Sequence, residues 1–310
     1  MTTKKWGRLL TAMITPYDNA GEVNVQQAAT LAEKLLQHGS DGLVLWGTTS
    51  ESPALSMNEK ERIYTAVREK TGTTGTLIVA TGTNSTKHSV EQTIRAQHLG
   101  ADGVMVVVPY YNKPSQSGLY EHFRSIASST DLPVMIYNVP SRSGVAIDVE
   151  TVARLAEVPN VVAIKEAAGS VIQVSHLRSV LPKEFLIYSG DDPLTLPMLS
   201  VGAYGVVSVA SHVAGQAISE MIAAYLAGEV EKALELHEKL LPLNEALFCD
   251  VNPVPLKVML DELGFSTGGC RLPLVAPSDS KKEHIRGTLQ TVRAELIDAH
   301  FNQEFGNTRA

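Results

Sequence analysis

Eight short apolar runs punctuate this chain, at residues 9–15, 42–46, 77–80, 104–108, 134–137, 161–164, 185–188 and 206–209. Each is continuous rather than alternating, the pattern of strands buried on both faces. The intervening segments, such as 25–38 and 58–70, carry apolar residues every three to four positions, the stripe of an amphipathic helix. Continuous strands joined by helical crossovers predict an α/β fold, a (β/α)8 TIM barrel. Periodicity by itself leaves an open doubly wound sheet as the alternative.

A weak internal repeat sharpens the expectation. His38-Gly-Ser-Asp-Gly42, Leu99-Gly-Ala-Asp-Gly103 and Val201-Gly-Ala-Tyr-Gly205 precede the second, fourth and eighth runs. Each reads as a helix end with glycine past its last turn, then a tight turn into the next strand. After Ala227 the pattern changes: 229–241, 255–263 and 281–299 read as helices with no strand between them. The expected division is a catalytic barrel over residues 1–227 and a C-terminal helical appendage over 228–310. No low-complexity linker intervenes, so the appendage is expected to pack on the barrel. The polar end, 302–310, reads as frayed.

Composition narrows function more than fold. A barrel of this kind uses about 250 residues, so length alone leaves a chain of 310 as one barrel with an appendage or as two mid-sized domains. Lys+Arg 26 against Asp+Glu 33 gives a net charge of −7, which argues against nucleic acid as a partner. No uncharged apolar run reaches the roughly 18 residues of a membrane span. The segment before Pro16 and Asp18 has no apolar stretch of signal-peptide length, so a cytoplasmic protein is expected. Cys249 and Cys270 are the only cysteines; they lack zinc-site spacing and suit a reducing compartment. The histidines are scattered, without His-Glu-x-x-His, and there is neither a Gly-x-Gly-x-x-Gly nor a Walker-type loop. Neither metal nor nucleotide is expected.

In a barrel of this type the chemistry sits at the C-terminal ends of the strands. Gly47-Thr-Thr-Ser-Glu-Ser52, Pro109-Tyr-Tyr-Asn-Lys-Pro114, Tyr137-Asn-Val-Pro-Ser-Arg-Ser-Gly144, Lys165-Glu-Ala-Ala168 and Ser189-Gly-Asp-Asp192 bring hydroxyls, phenols, a lysine and an arginine to those ends. Lys165 follows Val161-Val-Ala-Ile164 with no polar residue between. Burial in the barrel mouth would lower its pKa and give a neutral amine, a nucleophile towards a carbonyl. The alternative is a lysine that reaches solvent or pairs with Glu166. Tyr137 either relays protons or is a core aromatic with a satisfied hydroxyl. Thr48 and Thr49 either hold a carboxylate or link tyrosines, or simply form the turn. Tyr110 and Tyr111 are adjacent, so in extended chain one of them looks away from the barrel axis, towards a neighbouring subunit. Arg142 lies in a Pro- and Gly-containing loop, where a guanidinium either binds a carboxylate bidentately or is solvated. Asp191 and Asp192 read as a turn rather than a carboxylate dyad.

Taken in order, Gly47-Thr-Thr-Ser-Glu-Ser52, Tyr110-Tyr-Asn-Lys-Pro114, Tyr137-Asn-Val-Pro-Ser-Arg-Ser-Gly144 and Ile164-Lys-Glu-Ala167 resemble the motifs of the dihydrodipicolinate synthase family. The likeness runs from Arg8 to the helices near Arg293 and reaches the wider group of pyruvate-dependent class I aldolases that includes N-acetylneuraminate lyase. It implies condensation of pyruvate with L-aspartate 4-semialdehyde to 4-hydroxy-tetrahydrodipicolinate, towards diaminopimelate and lysine. Lys165 would form the imine with pyruvate. Tyr137 would relay protons, with Thr48 linking it to Tyr111, which the family donates across a dimer interface. Thr49 would hold the pyruvate carboxylate, Arg142 the semialdehyde carboxylate, and the backbone of Gly190 and Val207 would line the pocket. No cofactor is implied, because the imine nitrogen is itself the electron sink. The implied assembly is a homotetramer, a dimer of dimers, or a homodimer. The same-class alternative is an aldolase or dehydratase of 2-keto-3-deoxy sugar acids, which Arg142 disfavours. The different-class alternative is a keto-acid sensor without turnover.

The chain departs from the family's pattern at two places. Ser50 stands where the family usually has glycine; slight strain is expected there if the position needs a positive φ. The family's lysine-feedback cleft would fall on Ser52, Pro53, Met57, Lys60, Asn84, His88 and Tyr110. Lysine-sensitive members tend to carry a histidine in place of Met57 and an acid in place of His88, so weak or absent inhibition by lysine is expected.

Overall fold

The computed structural model describes residues 6–298; the end read as frayed lies outside them. Eight strands form a closed barrel in chain order: β1 (Leu9–Ala12), β2 (Gly42–Leu45), β3 (Thr76–Ala80), β4 (Gly103–Val107), β5 (Val134–Asn138), β6 (Val161–Glu166), β7 (Leu186–Ser189) and β8 (Gly205–Ser208). At least one helix follows every strand, so the (β/α)8 barrel forms and the open sheet does not. Every residue of β1, β2, β5, β7 and β8 is buried, which is why their runs show no alternation.

The chain falls into two compact units. The first, Met1–Arg8 with Thr76–Val207, carries β3 to β7 and most of β8. Neighbouring strands in it pair in parallel, and Tyr137 of β5 stands opposite Lys165 of β6. The second, Leu9–Gly75 with Ser208–Ala310, carries the parallel pair β1–β2. It also holds the helices Ser211–Leu226, Val230–Leu247, Val254–Glu262 and Asp279–Leu296.

The sequence repeat is a joint that ties each strand to the one before it. Gly39, Gly100 and Gly202 sit at φ +99°, +83° and +97°, where only glycine is comfortable. Two residues on, the Asp41 N–H donates to the Leu9 carbonyl at 2.8 Å, and its carboxylate accepts from the Leu9 N–H at 2.9 Å. Asp102 repeats both bonds with Leu77, at 3.0 and 2.9 Å. In the third copy the Tyr204 N–H makes the same backbone bond, to the Ile187 carbonyl at 2.6 Å. Its ring instead lies 4.3 Å from the Arg8 guanidinium.

Helix boundaries follow local chemistry with two exceptions. The helix Met57–Thr71 opens on a capping box, Ser56 and Glu59 satisfying each other's backbone N–H groups. The helix Val230–Leu247 runs through Pro242, past the end expected at 241. Leu240, Leu243, Ala246 and Leu247 are all buried, and their packing outweighs the one backbone bond that proline removes. Pro140–Ser143, read as loop, is a short helix with proline in its first turn and Gly144 at φ +75° closing it.

Candidate active site

Lys165 is the penultimate residue of β6, so it and Glu166 face opposite sides of the sheet. Its side chain is buried, with Nζ 4.4 Å from the centre of the Tyr137 ring. Burial pushes its pKa down to about 8; Arg142 pushes the same way, while Asp192 and Asp191 pull it back up. Glu166 makes no pair with it. The Glu166 carboxylate accepts from Asn138 Nδ2 at 3.1 and 3.0 Å and from the Ala168 N–H at 2.8 Å, and burial raises its pKa. Gly190, just past β7, lies against the lysine stem. A Cβ there would come within 2.9 Å of Lys165 Cε and 2.7 Å of Ala167 Cβ. The structure thus brings Lys165, Tyr137, Gly190 and the field of Arg142 together in the first unit, where buried Val207 closes the strand series in β8.

Arg142 is exposed on the short helix that follows β5. The Ser143 hydroxyl anchors that helix, its one proton shared between the Val139 and Val145 carbonyls at 3.0 and 2.7 Å. The loop after β4 is tied to it, because the Tyr111 N–H donates to the Ser143 carbonyl at 3.3 Å. Tyr111 and Lys113 hold left-handed φ values of 76° and 44°, a conformation that costs a side-chain-bearing residue about 1–2 kcal/mol. The two adjacent tyrosines diverge: Tyr110 is 38% exposed and Tyr111 projects at 89%. Tyr111 is therefore not gathered with Tyr137 by its own strand end.

In the second unit, β2 runs into a turn built from Thr48 and Thr49. The Thr48 carbonyl accepts from the Glu51 N–H at 3.0 Å, and the Gly47 carbonyl from the Ser50 and Ser52 N–H groups at 3.2 and 3.3 Å. Thr48 is half-buried. Thr49 is buried, and its Oγ1 accepts from Asn252 Nδ2 at 2.9 Å. The strain expected at Ser50 does not arise. The left-handed residue of the turn is Glu51, at φ 57°, and the Ser50 hydroxyl donates to the Met13 carbonyl at 2.6 Å. Serine is accommodated because the positive φ falls one residue later.

Glu51 explains how the turn is held. Its carboxylate meets Lys257 Nζ at 2.6 Å, both side chains only 2% exposed, and also accepts from the Arg271 N–H at 2.8 Å. Neither Asn252 nor Lys257 was legible as a functional residue from spacing. The available signal was a lysine on the apolar stripe Val254, Leu256, Met259 and Leu260 of its helix. Asp191 forms the turn expected of it, exchanging bonds with the Ser189 hydroxyl at 2.7 and 3.2 Å. Its pull on Lys165 was not foreseen.

The residues read as a feedback cleft divide between the units. Ser52 and Pro53 lie in the 3-10 turn Ser52–Ala54, Met57 starts the next helix, and Lys60 is buried there, its pKa lowered by that burial. In the first unit the Asn84 carbonyl accepts from Asn112 Nδ2 at 2.9 Å, and exposed His88 lies in the first turn of the helix Thr86–His98. Among the described residues no helix is long and apolar enough to cross a membrane.

The sequence model of the dihydrodipicolinate synthetase family matches residues 5–292. The 4-hydroxy-tetrahydrodipicolinate synthase of Desulforamulus reducens is 50% identical over 293 residues, 94% of this chain and 99% of that protein. Among solved structures, a dihydrodipicolinate synthase from Bacillus anthracis superposes with a TM-score of 0.91 at 44% identity, covering 93% of this chain and 98% of that one. Another, from Cyanidioschyzon merolae with lysine bound, gives a TM-score of 0.92 at 42% identity over 93% and 98% of the two chains.

Proposed function

The chain belongs to the dihydrodipicolinate synthetase family, and from that premise we infer a Schiff-base lyase. It condenses pyruvate with L-aspartate 4-semialdehyde to 4-hydroxy-tetrahydrodipicolinate, the opening step towards diaminopimelate and lysine. The observation that carries the reading is Lys165, buried at the C-terminal end of a barrel strand with its pKa down at about 8. Relative to an ordinary lysine, that leaves on the order of a hundredfold more neutral amine at pH 7.

Lys165 Nζ attacks the carbonyl carbon of pyruvate, water leaves the carbinolamine, and an iminium forms. Tyr137, beside the amine, carries protons to and from the departing oxygen through Thr48 and Tyr111. Loss of a methyl proton gives the enamine, the cationic nitrogen taking the electron pair. The enamine carbon adds to the semialdehyde's aldehyde, whose carboxylate end Arg142 holds. The semialdehyde's own amine then adds to the iminium carbon and expels Lys165 as the ring closes. Thr49 holds the pyruvate carboxylate, and the backbone of Gly190 and Val207 lines the pocket. No cofactor enters this scheme, because the iminium supplies the electron sink.

The exposure of Tyr111 supports its entry into the site of a second copy, hence a homodimer at least and a homotetramer as a dimer of dimers. Residues 1–227 serve as the catalytic barrel and 228–310 as a helical domain, in the cytoplasm. The direct test is turnover with paired substrates. Pyruvate with aspartate semialdehyde should be consumed, and 2-keto-3-deoxy sugar acids should be neither cleaved nor dehydrated. The opposite preference would make the protein a sugar-acid aldolase or dehydratase.

Gly190→Ala is expected to displace the Lys165 stem and lower kcat by about 100-fold, because its Cβ would approach Lys165 Cε to 2.9 Å. A variant at the wild-type rate would separate Gly190 from the reacting amine. Lysine is expected to inhibit weakly or not at all. Met57 offers no hydrogen bond where sensitive relatives have histidine, and His88 supplies no acid to hold the ligand's amine. Half-inhibition of the initial rate at sub-millimolar lysine would contradict this.

A further inference from the structure

Thr49 does not hold its conformation alone. Asn252, in the segment that leads into the helix Val254–Glu262, donates from Nδ2 to Thr49 Oγ1 at 2.9 Å, and both residues are buried. A hydroxyl has one proton to give and lone pairs to receive. With its oxygen engaged by an amide donor, the Thr49 proton is kept for another acceptor. The other end of the amide, Asn252 Oδ1, is buried without a hydrogen-bond partner. Burying a carbonyl in that way opposes folding, so packing alone gives no reason for asparagine here. The same segment grips the turn again, through Lys257 and Glu51 at 2.6 Å. Two anchors, one neutral at Thr49 and one ionic at Glu51, therefore hold the turn.

We propose that Asn252 is a positioning residue: its amide takes the Thr49 oxygen so that the Thr49 hydroxyl donates to the carboxylate of the bound keto acid. This rests on the reading of Thr49 as the carboxylate-binding residue. An acceptor at position 252 would reverse the bond. An ionised aspartate takes the Thr49 proton for itself and presents the substrate carboxylate with lone pairs and a second negative charge. Alanine would only free the hydroxyl to rotate.

The experiment compares Asn252→Asp, Asn252→Ala and Thr49→Val by steady-state kinetics at pH 8, where an ordinary carboxyl is ionised, together with thermal unfolding. The expected order of pyruvate KM is Asp above Ala above wild type. The aspartate variant should be raised about tenfold or more, with the semialdehyde KM little changed. A purely structural hydrogen bond gives the opposite order, because aspartate preserves a bond to Thr49 and alanine does not; that order would overturn the proposal. Thr49→Val separates the two levels. If it raises the pyruvate KM while Asn252→Asp does not, the proposal alone fails. If it leaves the pyruvate KM unchanged, the assignment of Thr49 fails and takes the proposal with it. Should the aspartate variant not fold, Asn252→Ala decides. Its effect on the pyruvate KM should vanish in the Thr49→Val background, and an additive effect would overturn the proposal.

Discussion

Replacing Lys165 by alanine is expected to abolish condensation, lowering kcat by about 1000-fold or more without unfolding the protein. The loss follows from the role of the amine. It forms the covalent bond that makes the pyruvate methyl group acidic, and no neighbouring group can substitute for it. The fold should survive, because burial works against the charged form of this lysine, as its pKa of about 8 records. Thermal unfolding beside the kinetics separates lost chemistry from lost structure. The same pKa sets a pH dependence. Only the neutral amine attacks, so kcat/KM for pyruvate should rise about tenfold per unit below pH 8 and level off above it. An alanine variant that retains wild-type turnover, or a pyruvate profile flat from pH 6 to 8, would contradict the scheme.

The second large effect is on stability. Lys257→Met is expected to cost about 3–5 kcal/mol. The Glu51–Lys257 pair is 2% exposed on both sides and 2.6 Å long. The amine also donates to the Gly269 carbonyl at 2.5 Å and lies 4.2 Å from the centre of the Tyr17 ring. Removing it leaves the Glu51 carboxylate buried with the Arg271 N–H but no counter-charge. That uncompensated charge, rather than the lost attraction, is the larger part of the cost. The double variant Glu51→Gln/Lys257→Met should therefore recover more than half of the loss, since the glutamine carbonyl still receives the Arg271 N–H and no ion remains. Urea unfolding of the two single variants and the double variant closes the cycle. A Lys257→Met protein within about 1 kcal/mol of wild type, the ordinary range of an exposed pair, would show that the turn does not depend on this ion pair.

The barrel was legible because its signals are local. A strand buried on both faces must be apolar throughout, and each such run in the sequence became a strand. The Asp41 and Asp102 repeat was visible as a pattern, but its work was not, since the bonds reach back to Leu9 and Leu77. Lys165 stood out for the same local reason, as a lysine ending an apolar strand, but only its burial in the structure decides between the barrel mouth and a side chain that reaches solvent or pairs with Glu166. What escaped was non-local. Asn252 meets Thr49, and Lys257 meets Glu51, only after the C-terminal helices pack, and no spacing rule spans such a separation. The helix Pro140–Ser143 was missed because four residues are too few to show periodicity. The strain anticipated at Ser50 was misplaced by one residue, since a turn's composition does not say which member takes the left-handed φ.

The carbon–nitrogen bond between Lys165 and pyruvate can be trapped by reduction. The protein is incubated with pyruvate and sodium borohydride, digested and mapped by mass spectrometry. One reduced three-carbon acid adduct is expected, on Lys165, and none when pyruvate is omitted. An unmodified Lys165 in a protein that still turns over, or an adduct on a different lysine, would contradict it.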